Sequence, residues 1–330
     1  MPKIVRFHSL GPAEVLKIED VDLEKPGPGE IRLAVKAIGL NRAEILFHEG
    51  RYLEVPELPS RIGYEAAGFI DAIGEGVDGL RVGDYVSTIP CFSQSRYGVY
   101  GEQAVVPASA VAKVPEGLTP AQAASIWMQY LTAYGALVEI GGLSAGQVVL
   151  ITAASSSVGL AAIQVAKDTG AIAIATTRSQ SKKDVLLEQG ANQVVVSESE
   201  NLVEKVRGMT AGKGVDLVFD AVAGPLVVEL AKATKYEGTM IVYGALSLAR
   251  TPFPLQIALK KGLNMRGYTM FQITNDAVKL KRSIEFISAR LESGAYTPVI
   301  DREFKLDQIA EAHRYMETNQ QIGKIVVTCD

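Results

Sequence analysis

Between residues 147 and 244, short apolar runs alternate with short amphipathic segments, and few folds accept that pattern. The runs 147–152, 171–176, 193–196, 215–220 and 239–244 are rich in aliphatic and β-branched residues, as buried strands are. The segments 158–167, 182–189 and 201–210 have helical character, and Gly170 and Gly190 stop the first two. Strands separated by single helices cannot pair as hairpins. They line up in parallel, with helices on both faces, so the fold class is α/β with a doubly wound parallel sheet.

The flanks have a different grain. Residues 5–7, 31–35 and 66–74 are short apolar runs broken by Gly and Pro, as in Lys25-Pro26-Gly27-Pro28-Gly29, and Gly83-Asp84-Tyr85-Val86 is a turn into a further strand. Amphipathic helices at 279–292 and 307–318 and a strand at 323–328 follow the alternating region. A β-rich domain, 1–121 with 270–330, therefore brackets an inserted domain at 122–269, with no internal repeat. The 330 residues are 48% hydrophobic, enough for two cores. The net charge is −4 with no basic block, which argues against a nucleic-acid surface. Two cysteines, Cys91 and Cys329, exclude a disulfide framework, and no apolar signal core follows Met1, so a cytoplasmic setting is expected. Residues 117–138 and 141–166 lack charge over a membrane-spanning length. Thr119, Pro120, Gln122, Ser125, Gln129 and Gln147 interrupt them, so they read as buried core and no membrane partner is expected.

After the first alternating strand comes Ala153-Ala154-Ser155-Ser156-Ser157-Val158-Gly159. A helix start built from small residues lets backbone approach a pyrophosphate, and its unpaired N–H groups and positive dipole end favour an anion. A strict G-x-G-x-x-G is missing and only Gly159 remains. A Ser-capped helix would look similar in isolation, but the surrounding βαβ alternation favours a dinucleotide turn. The second strand ends in Thr177-Arg178-Ser179-Gln180-Ser181-Lys182-Lys183, and no acid appears before Asp184. NAD sites usually hold the ribose diol with an acidic residue there. Arg178, Ser179 and Lys182 instead offer donors for a 2′-phosphate, so NADPH is the expected cofactor.

Ordered motifs over the whole chain carry a resemblance: Gly39-Leu40-Asn41, Gly50-Arg51-Tyr52, Gly63-Tyr64-Glu65-Ala66-Ala67-Gly68, Gly83-Asp84-Tyr85-Val86, Thr132-Ala133-Tyr134, the serine turn and Gly170-Ala171. The chain resembles the medium-chain dehydrogenase/reductase superfamily, and within it the zinc-free quinone oxidoreductases of the zeta-crystallin type. The resemblance implies a GroES-like catalytic domain, a Rossmann domain and a cleft between them. It places Asn41, Tyr64 and Met128 where the zinc branch has Cys, His and Cys, and Ala43 where that branch has a proton-relaying hydroxyl. It also implies that Gly244, Ala245, Leu246 and Phe271 approach the cofactor, and that an edge strand at 263–268 makes a homodimer. Ser156, Ser157, Ser197 and Leu46 depart from the branch's usual residues.

Without a metal, the acceptor must take hydride readily, which points to quinones or to alkenes conjugated with a carbonyl. Asn41, Tyr52, Tyr64 and Thr132 are the candidate catalytic residues, as donors to the oxygen that gains charge. Each has a plainer reading: Asn41 as a loop hydrogen bonder, Tyr52 as an interface aromatic, Tyr64 as core. Glu65 reads as partner to a basic residue, and His8, His48 and His313 as scattered. Residues 89–100 read as a variable loop. An NADPH-binding redox sensor or structural protein is the remaining alternative.

Overall fold

The computed structural model describes residues 1–329, which divide into two units: Gln129–Tyr296, and Met1–Met128 together with the chain from Thr297 onward. In the contiguous unit, six strands form one sheet in the order Gln193–Val196, Ile172–Thr177, Val148–Ile151, Val215–Asp220, Thr234–Val242, Asn264–Gly267. Every neighbouring pair is parallel. This is the expected doubly wound sheet, with strand order reversing between Val148–Ile151 and Val215–Asp220, where such sheets bind ligands. Helices Ser157–Asp168, Lys183–Glu188, Leu202–Met209 and Leu226–Ala233 connect the strands. Leu150, Ile174, Val195, Val218 and Met240 from the sheet pack with Val206 and Leu230 from the helices.

Helix Ala277–Glu292 belongs to this unit. Phe286 lies 4.5 Å from the Tyr134 ring, Arg290 Nε donates to Asp168 Oδ2 at 3.0 Å, and Tyr296 stacks on Tyr130 at 5.0 Å. The division thus falls after Met128 and Tyr296, whereas the sequence suggested residues 121 and 269. An amphipathic pattern shows which face of a helix is apolar; it does not show which sheet that face covers.

The other unit is built on a seven-stranded sheet running Ile300–Lys305, Lys324–Thr328, Glu30–Gly39, Glu65–Ile73, Tyr85–Thr88, Val111–Lys113, with Gln103–Pro107 also paired to Glu30–Gly39. Helices Arg42–His48 and Ile309–Glu317 bring two histidines together. His48 Nε2 lies 3.2 Å from His313 Nδ1, His48 Nδ1 lies 2.7 Å from the Gly11 carbonyl oxygen, and both rings are fully buried. Burial holds both imidazoles below their ordinary pKa, so they are neutral, and His48 Nδ1–H donates to Gly11. Within residues 89–100, helix Gln94–Tyr97 is fastened by Glu54, which accepts from Ser93 Oγ, Gln94 N and Ser95 N. Among the described residues no helix is long and apolar enough to cross a membrane.

Candidate active site

Three strand ends converge under the serine turn. Thr152, just past Val148–Ile151, donates its hydroxyl to Asp220 Oδ1 at 2.7 Å and accepts from Ala221 N at 2.9 Å. Asp220 is fully buried and also accepts from Val222 N and Ala223 N, so its charge is met by three donors. These bonds lock the ends of the two central strands at the point where the sheet reverses. The chain then turns through Ala153 at φ 46°, and Ala154 N reaches across to the Thr176 carbonyl at 3.1 Å.

Ser156 caps helix Ser157–Asp168, its Oγ accepting from Gly159 N at 3.1 Å. Such a cap is worth about 1 kcal/mol to the helix. A Cβ on Gly159 would lie 2.6 Å from both Cα and O of Ala154, so only glycine lets the helix sit this close to the turn. Ser155, Ser156, Ser157 and Val158 are half-buried and lie together at the turn and the first helical residues. The next strand end joins them through Lys182, whose Nζ donates to Ser155 Oγ at 3.3 Å. Ser179 caps the short helix Gln180–Lys182, and Arg178 beside it is exposed. Gly244, Ala245 and Leu246 run beside the Asp220 turn, where Leu246 N donates to the Ala221 carbonyl at 3.1 Å.

In the β-rich unit, Asn41 caps helix Arg42–His48 in a reciprocal box with Glu44. Asn41 N donates to Glu44 Oε2 at 2.6 Å, and Asn41 Nδ2 to Glu44 Oε1 at 3.2 Å and to the Gly39 carbonyl at 3.3 Å. Lys324 Nζ donates to Asn41 Oδ1 at 2.5 Å and to Glu65 Oε2. The other Glu65 oxygen accepts from Met128 N at 2.8 Å, and Tyr64 N donates to Glu44 Oε1 at 3.3 Å. Glu44, Glu65 and Lys324 are at most 1% exposed. With two carboxylates beside one ammonium, burial pushes the Glu44 carboxyl up to about 7, against the pull of Lys324. In this structure the Asn41 amide donates to Glu44 and to the Gly39 carbonyl, the arrangement of its plainer reading as a loop hydrogen bonder.

Tyr64 is buried, with Tyr52 on one side at 6.3 Å and Phe92 on the other at 5.8 Å. Its hydroxyl lies 3.5 Å from Glu54 Oε2. Burial raises both phenol pKa values, so Tyr52 and Tyr64 stay protonated at neutral pH. Thr132 sits on helix Trp127–Tyr134 in the other unit, 6% exposed. Sequence reasoning missed Thr152, Asp220, Glu44 and Lys324. The Asn41-x-x-Glu44 spacing was a readable signal, whereas Lys324 is 283 residues from its partner Asn41.

A dinucleotide-type sheet with a close-packed serine turn, joined to a β-rich unit, defines an oxidoreductase of the GroES-like plus Rossmann class. Two family models match: an alcohol dehydrogenase GroES-like domain over residues 27–116 and a zinc-binding dehydrogenase over residues 189–327. The rat synaptic vesicle membrane protein VAT-1 homolog is 30% identical over 319 residues, 92% of this chain and 77% of its own. Human quinone oxidoreductase is 30% identical over 312 residues, 94% of this chain and 92% of its own. Among solved structures, an NAD-dependent alcohol dehydrogenase is 31% identical with a TM-score of 0.92, covering 99% of this chain and 100% of that one. Escherichia coli quinone oxidoreductase complexed with NADPH is 27% identical with a TM-score of 0.91, again covering 99% and 100%. The chain belongs to the medium-chain dehydrogenase/reductase superfamily of oxidoreductases, in its quinone-oxidoreductase branch.

Proposed function

We propose that this chain is a cytoplasmic, zinc-independent, NADPH-dependent reductase that passes hydride to quinones. One observation carries the metal-free reading. Asn41, Tyr64 and Met128, which the resemblance puts at the zinc-ligand positions, all bond to the buried Glu44, Lys324 and Glu65 system, Asn41 through its side chain and Tyr64 and Met128 through backbone N–H. An amide, a phenol and a thioether are poor zinc ligands. Among the described residues no three His, Cys, Asp or Glu side chains group as a metal site.

The residues present fit a phosphorylated dinucleotide. The helix packs against the serine turn at Gly159 as closely as only glycine allows, and Lys182 reaches that turn. Arg178 and Ser179 stand where an NAD site would carry an acid. When bound, the nicotinamide supplies the hydride. In the β-rich unit the hydroxyls of Tyr52 and Tyr64 are the candidate donors to the acceptor oxygen as charge builds there, and Asn41 holds the loop that carries this chemistry; Thr132, in the other unit, is a candidate on the resemblance alone. Protonated Tyr52 also suits an enone, whose reduction ends with a proton on carbon. The protein acts as a homodimer through the edge strand Asn264–Gly267, and in the chain leading to that strand Leu248, Phe253, Leu255 and Leu259 are 83%, 63%, 56% and 75% exposed.

The test is NADPH oxidation against quinones, enones and aldehydes, beside NADH and with a chelator. Turnover of quinones that survives chelation and prefers NADPH is expected. Loss of activity with chelator, or turnover of simple alcohols and aldehydes alone, overturns the reading. Arg178→Ala and Lys182→Ala are each expected to raise the NADPH dissociation constant roughly tenfold, the loss of one charge-assisted bond, and to leave NADH within about threefold. Equal losses for both cofactors would remove these residues from 2′-phosphate recognition.

A further inference from the structure

Residues 51–58 form a strap whose polarity is turned inside out. Leu53 and Val55 are 72% and 81% exposed, while Tyr52 and Glu54, which alternate with them, are half-buried. Burial of apolar surface alone favours the opposite arrangement. The Glu54 carboxylate accounts for the inversion. Its Oε1 accepts from Ser93 Oγ and from Ser95 N at 3.3 Å, and its Oε2 accepts from Gln94 N at 3.1 Å, with the Tyr64 hydroxyl at 3.5 Å. A carboxylate offers about four lone-pair sites, so these four donors use its full capacity. The two ends of the strap are tied separately. Arg51 N donates to the Leu46 carbonyl at 2.7 Å, and Glu57 N donates to Ser95 Oγ at 3.1 Å. Glu54 grips the middle, two residues from Tyr52, whose ring centroid lies 6.3 Å from that of Tyr64.

We propose that Glu54 is a positioning residue for the reductase reaction: by clamping the strap to Ser93, Gln94 and Ser95, it holds the Tyr52 hydroxyl where it donates to the oxygen of the hydride acceptor. Without the clamp, burial of Leu53 and Val55 becomes the stronger pull. Turning them inward carries Tyr52 outward, because neighbouring residues of the strap face opposite ways. The inference rests on the reading of Tyr52 as a donor and goes beyond it by naming the group that sets its position.

The test measures kcat and KM for a quinone, and the dissociation constant of NADPH, in Glu54→Gln, Tyr52→Phe and the double variant. A carboxamide has one oxygen and brings donors of its own, so glutamine keeps the size and cannot meet four donors. For Glu54→Gln, kcat is expected to fall about tenfold to a hundredfold, the scale of a displacement near 1 Å at a reacting centre, with NADPH affinity unchanged. In the Tyr52→Phe background the same substitution is expected to add nothing, because the two act as a unit. A strap that only supports the fold would lower kcat in both backgrounds. Ser93→Ala removes one of the four donors and is the milder variant, which decides if Glu54→Gln fails to fold; its fall of about threefold should likewise vanish with Tyr52→Phe. An unchanged kcat, a loss that persists in Tyr52→Phe, or a matching loss of NADPH affinity would each overturn the inference. If the unaltered protein reduces no quinone, or Tyr52→Phe keeps full activity, the proposed function or its donor falls first and takes this inference with it. If Tyr52→Phe is impaired and the Glu54 and Ser93 variants are not, this inference alone falls.

Discussion

Lys324→Met is expected to cost about 3–5 kcal/mol of unfolding free energy, the usual penalty for leaving buried charge without its partner. Lys324 is 1% exposed and donates to Glu65 and Asn41, and its charge is what holds the Glu44 carboxyl down to about 7. Methionine fills the same space and removes the charge. The loss should depend on pH. A carboxyl whose folded pKa is raised above its unfolded value loses stability as pH rises between the two. For Glu44 that window runs from 4.5 to about 7 in the unaltered protein, and the substitution extends it upward. The penalty is therefore smallest near pH 5 and largest near pH 8. Urea unfolding followed through Trp127, the sole tryptophan and a hydrogen-bond partner of Ser87 in the same unit, reports it locally. A pH-independent loss under about 1 kcal/mol would mean the network tolerates an unpaired carboxylate.

Gly159→Val is expected to weaken NADPH binding about a hundredfold, the scale of a displacement near 1 Å at a recognition site. The added Cβ would meet Ala154 Cα and O at 2.6 Å, and backbone atoms cannot swing aside as side chains do. The turn must move away from the helix, carrying Ser155 and Ser156 with it. Overpacking of this kind also costs about 1–3 kcal/mol of stability. Gly208→Ala is the control, since nothing lies within 4 Å of its Cβ in helix Leu202–Met209. That change should leave binding intact and add up to about 1 kcal/mol of stability. Binding by Gly159→Val within about threefold of the unaltered protein would show that the turn does not contact the cofactor.

How much of this was legible in sequence depended on distance along the chain. The parallel sheet was readable because each strand and its helix are neighbours and their periodicities differ. Helix Leu226–Ala233 was missed because Val227 and Val228 give it a strand-like start. The serine turn, Arg178 and Lys182 were readable from position alone. The Lys324 network was not, because a lysine in a late strand carries no mark of the asparagine it meets. Glu65 read as the partner of some basic residue, and only the fold identified Lys324. The histidines read as scattered for the same reason: 265 residues separate the two rings that touch. Asn41 was picked out by the position the resemblance gives it, and its bonds to Glu44 and Lys324 became visible only in the fold.

The discontinuity of the β-rich unit bears on how the protein is made. The Gln129–Tyr296 unit is a single stretch of chain and can close while its successors are still being synthesised. The β-rich unit must wait, because its sheet takes Ile300–Lys305 and Lys324–Thr328 from the last portion, and the ammonium between Asn41 and Glu65 arrives with them. Until that strand enters, Glu44 and Glu65 have no counter-charge, and the Ala37–Gly39 end of strand Glu30–Gly39 has an open edge. The half of the molecule that carries Asn41, Tyr52 and Tyr64 is thus the half exposed longest to chaperones and proteases on the ribosome.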